Sequence, residues 1–241
     1  MSGHSKWATI KHHKGAADAK KAAVFTKLAY AVTMAAKTGG GDPEFNFTLR
    51  LAVDKARASN MPKDNIERAI KKGTGELAGE QIVEIIYEGF GPGNSAVVIE
   101  SVTDNKNRAV SNIKHAFLKN SGTLGGPNSV MWMFDKFGVI RIAQEDFDVA
   151  RKDEFELACI DAGAQDIKFE TEGVSVFTQP TDLKKIKDAV EALNFKISHA
   201  EFEYVPKEHI KISDEDQTAL ETFFSDLDEL EDVNNYYTNV G

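Results

Sequence analysis

Cysteine is nearly missing from this chain: Cys159 is the only one in 241 residues. A single thiol excludes an internal disulfide framework and any multi-thiolate metal site. Its neighbours Leu157 and Ala158, in a segment with helical pattern, mark it as a small buried apolar residue. Long apolar runs are missing too. Nothing approaches the roughly 18–20 consecutive apolar residues that cross a bilayer, and the first residues lack the apolar segment of a secretory signal. Arginine does not occur before Arg50, which argues against an arginine-rich transit peptide and makes the cytoplasm the expected compartment. Acid is scarce at the start: Asp18 is the single carboxylate among the first 27 residues.

What stands there instead is base. Lys6, Lys11, Lys14, Lys20, Lys21 and Lys27 fall in that stretch, with Trp7, His12 and His13 between them, in a chain of net charge −9. Up to Gly75 the sequence has 14 Lys and Arg against 6 Asp and Glu; after it come 15 against 32. A positive module is thus joined to a negative one. Charge segregated in this way concerns partners more than fold.

Residues 1–15 have no apolar period, which suits an arm ordered by a partner. Phe25, Leu28, Val32 and Ala35 then recur at helical spacing from about Ala16 up to Gly39-Gly40-Gly41. Asp42-Pro43 reads as the start of a second helix, an N-cap carboxylate with proline at the first helical position. Its expected buried face is Phe45, Leu49, Ala52, Val53 and Ala56, with Arg50 and Arg57 facing outward. Asn60-Met61-Pro62 breaks the chain before a third helix, about 62–72, which buries Ile66, Ala69 and Ile70. Positive charge continues through Lys55, Arg68, Lys71 and Lys72.

After Gly75 β-branched alternation predicts strands at 82–88 and 95–103, a helix at 106–120 with Val110, Ile113 and Phe117 inward, and strands near 129–134 and 137–143. From 137 the order is strand, helix (146–162), strand (165–170), strand (173–178), helix (181–193), strand (196–205), which is the ferredoxin-like unit. The final stretch reads strand (207–212), helix (214–230), strand (232–238). That is too little to bury its own apolar face. The economical solution pairs it with the hairpin and helix at 80–121, though an independent C-terminal arm is the alternative.

The expected fold class is therefore α+β and multidomain. A basic arm plus three-helix domain occupies 1–78, and a split α/β domain occupies 79–135 and 206–241. A ferredoxin-like α/β domain, 136–205, is inserted into it.

No set of residues points to catalysis. Ser95, Ser111 and His115 sit in no nucleophile turn. His4, His12 and His13 lack acidic or thiolate companions for a metal, since adjacent histidines point apart. Gly39-Gly40-Gly41 lacks the Walker lysine, and the glycines at 89, 91 and 93 precede a strand where a dinucleotide fingerprint needs a helix. The chain reads as a non-enzyme with no cofactor, no metal and no small-molecule substrate.

The basic head differs in kind. Each phosphate neutralised by a lysine releases condensed counterions, and an indole offers a surface for bases to stack on. A merely solvated lysine face is the plain alternative. The candidate nucleic-acid contacts are Lys6, Trp7, Lys11, His12, His13, Lys14, Lys20, Lys21, Lys27, Arg50 and Arg57. The acidic remainder, repelled by nucleic acid, stays in solvent or faces a basic protein surface.

The runs Gly3-His4-Ser5-Lys6-Trp7, Ile10-Lys11-His12, Phe25-Thr26-Lys27-Leu28, Gly39-Gly40-Gly41-Asp42-Pro43, Asn60-Met61-Pro62-Lys63-Asp64-Asn65-Ile66-Glu67-Arg68 and Tyr87-Glu88-Gly89-Phe90-Gly91-Pro92-Gly93 together resemble the YebC/PmpR family. The resemblance continues through Thr103-Asp104-Asn105 and more faintly to the C-terminus. It implies three domains, one helical and two α/β, and no catalytic residues. Members are commonly called probable transcriptional regulators that bind DNA. Bacterial relatives have also been placed on the ribosome, easing synthesis of proline-rich stretches, and the mitochondrial translational activator of cytochrome c oxidase is related. The resemblance thus implies DNA or ribosomal RNA as partner, and no membrane. Two departures thin the positive face of the first helix: His13 stands where arginine is frequent, and Ala29-Tyr30-Ala31 replaces a segment that often carries Arg-Glu.

Overall fold

The computed structural model describes residues 18–78 and 81–241, with side chains in the first helix from Ala23 onward. Helix α1 (Asp18–Gly39) packs against α2 (Phe47–Ala58) and α3 (Lys63–Gly73). Leu28, Val32, Ala35, Leu49, Val53, Ala56, Met61, Ile66 and Ala69 form their shared core, with the expected Phe25, Ala52 and Ile70 partly buried against it; Met61 joins the expected set and Phe45 is missing from it. Gly73 permits the close approach of α3 to α1. A Cβ there would lie 2.4 Å from the Thr33 carbonyl oxygen, so any larger residue forces the two helices apart.

Helix α2 starts later than the Asp42-Pro43 signal predicts. Asp42 closes a turn instead: its carbonyl accepts from Asn46 N at 2.9 Å and its carboxylate from Glu44 N at 2.9 Å. Asn46 is the cap, accepting from Leu49 N through Oδ1 while its Nδ2 donates to Ala35 O and Gly40 O, both at 2.8 Å. Three bonds made by one buried amide outweigh the single bond that Asp42 offers a helix start. The turn consequently lifts Phe45 out of the core, 90% exposed.

Strands β1 (Val83–Phe90), β2 (Ala96–Thr103), β3 (Thr123–Leu124) and β8 (Val233–Thr238) form one antiparallel sheet in the order β3-β1-β2-β8. Helices α4 (Lys106–Lys119) and α7 (Asp214–Glu229) pack on it: Ile113 and Phe117 of the first and Leu220, Phe223 and Leu227 of the second form one core with Val97 and Ile99 of β2 and Tyr236 of β8. The C-terminal stretch is thus part of this sheet and not an independent arm. Val110, expected inward, is 36% exposed.

The second sheet holds β4 (Phe134–Ala143), β5 (Ala164–Glu170), β6 (Gly173–Thr178) and β7 (His199–Pro206) in the order β5-β6-β4-β7. With α5 (Lys152–Ala162) and α6 (Leu183–Ala192) this is the ferredoxin-like arrangement. Ile140, Ile142, Phe155, Cys159, Leu183, Ile186 and Val190 are buried in it, and burial pushes the Cys159 thiol up to about 12. The chain forms two compact units, Phe134–Val205 and the remainder, which resumes at Pro206–Gly241.

Other expected elements also differ from those observed. The helix placed at 146–162 begins only at Lys152, because the Asp148 carboxylate accepts from Ala150 N and holds a separate turn. At 129–134 the amides of Asn128, Val130 and Met131 donate to the Glu88 carboxylate at 2.7–2.9 Å; diverted from any ladder, they leave a single turn before β4. At 207–212 one bridge, Ile210 to Val240, replaces a strand, since Val240 lies past the end of β8.

Candidate nucleic-acid interface

Of the eleven candidate contacts, Lys6, Trp7, Lys11, His12, His13 and Lys14 lie outside the described residues, and Lys20 and Lys21 lie on α1 before its described side chains begin. Three are placed in detail: Lys27, Arg50 and Arg57.

Lys27 does not share an outward basic face. Its Nζ donates to the Asp228 carbonyl at 2.7 Å, in the last turn of α7, where unpaired carbonyls and the helix dipole favour a cation. Burial pulls its pKa down to about 8, with Lys55 pushing the same way and Asp228 and Glu231 opposing. Asn234 Nδ2 donates to the Lys27 carbonyl at 3.4 Å, and Lys37 Nζ to Ile82 O at 3.0 Å. Tyr30 donates its hydroxyl to Asp104 Oδ2 at 3.0 Å. Burial, then that hydrogen bond, raises the phenol to about 12. Asp104 also receives Arg108 Nη2 at 2.8 Å, and Arg108 in turn holds the buried Asp232 through Nε at 3.0 Å and Nη2 at 2.6 Å. Thr103 Oγ1 donates to the same carboxylate at 2.7 Å. The Tyr30–Asp104 bond thus joins those of Lys27 and Lys37 in holding the helical domain to the residues that follow it.

Arg50 is bound to its own turn. Nε donates to Pro43 O and Nη2 to Glu44 O, both at 3.0 Å. Arg57 lies exposed on the same side of α2, with Asp54 at 3.9 Å. Together they line a shallow hollow of about 320 Å³ with Pro43, Glu44, Val53 and Asp54. Two carboxylates in that hollow offset the two guanidiniums, so its attraction for a phosphate is weak.

A second hollow is differently charged. Between α1 and α3 a groove of about 250 Å³ is lined by Phe25, Thr26, Ala29, Tyr30, Thr33, Met61, Asn65, Arg68, Ala69, Lys72 and Ile82. Arg68 and Lys72 are four apart on α3, exposed, on one face. In the sequence the two stand out as a continuation of positive charge, with Lys72 also suiting the helix C-terminus. The signal that would have picked them out is the spacing of Asn65, Arg68 and Lys72, one helical stripe beside an apolar one.

Among the described residues no cluster of three or more His, Cys, Asp or Glu could hold a metal ion. No helix among them is long and apolar enough to cross a membrane.

Comparison with known proteins places this arrangement. Residues 5–76 match the model of the TACO1/YebC protein N-terminal domain, and residues 82–240 match that of the TACO1/YebC second and third domain. A probable transcriptional regulatory protein of Thermoanaerobacter pseudethanolicus is 49% identical over 240 residues, covering 100% of this chain and 97% of that one. One of Geobacter sulfurreducens, of the same description, is 48% identical over 239 residues, covering 99% and 95%. The crystal structure of a conserved hypothetical protein from Aquifex aeolicus superposes with a TM-score of 0.87 at 37% identity, covering 98% of this chain and 97% of that one. The chain belongs to the TACO1/YebC family.

Proposed function

We propose that this protein is a nucleic-acid-binding regulatory factor, a DNA-binding transcriptional regulator that grips the phosphate backbone through its basic N-terminal domain. The observation that carries the reading is the segregation of charge: an excess of 8 positive groups up to Gly75 against an excess of 17 negative groups after it. Its relatives' description as probable transcriptional regulatory proteins supports the regulatory part. Lys6, Lys11, Lys14, Lys20 and Lys21, with Trp7, His12 and His13, supply the contacts; Lys27 is excluded by its engagement with α7. The acidic domains stay clear of the polyanion, in solvent or against a basic protein. The protein works in the cytoplasm without catalysis. The test is a competition gel shift between the best duplex selected from a random pool and unselected duplex. A sequence-specific regulator prefers the former by about a thousandfold or more; equal competition refutes specific regulation.

One observation favours a second reading, a ribosome-associated factor that binds RNA and eases synthesis of proline-rich stretches. The α1–α3 groove is a hollow with a cationic rim, and such hollows receive splayed bases of single-stranded loops, not intact duplex. Sedimentation with ribosomes across a salt series tests it, and absence from the ribosomal fraction at every salt concentration rejects it.

A further inference from the structure

We infer that the groove between α1 and α3 is a binding site for one unpaired nucleotide of a single-stranded nucleic acid, with the base in the groove and a flanking phosphate on Arg68 and Lys72. The inference rests on the nucleic-acid-binding reading above and adds to it a site made of described side chains.

The groove's composition divides in two. Phe25, Ala29, Met61, Ala69 and Ile82 make an apolar lining, with the ring of Tyr30 beside them. Asn65, Arg68 and Lys72 make a polar, positive rim on one face of α3. A nucleotide has the same division, an apolar aromatic base joined to an anionic phosphate. Base stacking against aromatic side chains tolerates any base, because every base has a π-face.

The rim charge is available. Arg50 is occupied by two carbonyls and Lys27 by a helix end, and Lys63 pairs with Glu67 at 3.4 Å. Arg68 and Lys72 line the same rim, and among the described residues no carboxylate lines the groove. This is the reverse of the Arg50–Arg57 hollow, where Glu44 and Asp54 are among the lining residues. The walls are also fixed. Tyr30 is tied by its hydroxyl to Asp104, and Thr33 Oγ1 donates to Ala69 O at 3.1 Å, holding α1 to α3 across the floor. A groove that does not need ordering on binding loses less conformational entropy.

The experiment uses the full-length protein and 12-nucleotide single strands, ribo and deoxyribo, each with one central 2-aminopurine. Saturable change of the 2-aminopurine fluorescence on binding is expected with at least one of the two sugars. Arg68→Gln with Lys72→Gln weakens binding about tenfold and lowers the slope of log K against log salt by about 1. Asn65→Trp, an exposed position whose indole fills the groove mouth, abolishes the fluorescence change. All three substitutions are at exposed residues, and circular dichroism verifies the fold. If both strands bind with unchanged fluorescence, or the variants behave like the parent, the site is refuted while nucleic-acid binding stands. If neither strand nor duplex binds at any salt, the broader reading falls with it.

Discussion

Replacing Lys27 with methionine removes a half-buried charge of the helical domain. Its ammonium is taken out of water to meet the Asp228 carbonyl, and desolvation pulls the pKa from 10.5 down to about 8. That difference corresponds to roughly 3 kcal/mol between the two protonation states. Below pH 8 the group is charged in both folded and unfolded chains, and the cost of burying the charge is fully present. Between about pH 8 and 10.5 the unfolded chain binds more protons than the folded one, so stability rises with pH, and above that window it levels off. Lys27→Met, which does not titrate, lacks this term. The parent is therefore expected to gain about 3 kcal/mol relative to the variant as pH is raised from 7 to 10.5. Urea unfolding of both proteins followed by far-ultraviolet circular dichroism measures the difference, and other alkaline effects cancel between them. Lysine ¹³Cε shifts give the pKa itself. A parent-minus-variant difference that is flat with pH, together with a Lys27 midpoint above 10, refutes the reasoning.

Two further substitutions test how the first sheet holds its neighbours. Asp232→Ala removes the acceptor of Thr103 Oγ1 and of two Arg108 bonds; because Arg108 is partly exposed and can rehydrate, the expected cost is about 2–3 kcal/mol, read as a lowered urea midpoint. Glu88→Gln turns one of the two oxygens that accept from Asn128, Val130 and Met131 into a donor facing a donor. A loss of about 2 kcal/mol is expected, with faster amide hydrogen exchange confined to the loop before β4; unchanged exchange there contradicts the assigned role.

The elements most legible in the sequence are those whose pattern is local. The stripe Leu28–Val32–Ala35 recurs every three to four residues and is buried as expected. The order of strands and helices from 137 to 205 was enough for the ferredoxin-like unit. Failures came where a side chain answers to a distant partner. Asp42-Pro43 carries a stronger local start signal than Asn46, but Asn46 is fixed by the carbonyl of Ala35 on α1 and that of Gly40 just past it. Lys27 sits among lysines with nothing nearby to mark it, and the carbonyl it meets is 201 residues away. Arg50 and Arg57 face outward as expected, yet Glu44 and Asp54 beside them reduce what they offer a phosphate. The α1–α3 groove was invisible for the same reason: two helices had to be brought together before Phe25 and Arg68 bordered one hollow.

In the proposed function the leading lysines hold a polyphosphate chain while the acidic domains stay clear of it. The salt dependence of duplex binding tests it most directly, comparing the parent with a variant in which Lys6, Lys11, Lys14, Lys20 and Lys21 are glutamine, and with Lys27→Gln alone. The account predicts that the fivefold variant flattens the slope of log K against log salt by up to about 4, while Lys27→Gln leaves the slope of the parent. An undiminished slope in the fivefold variant would place the contact on another surface and contradict the account.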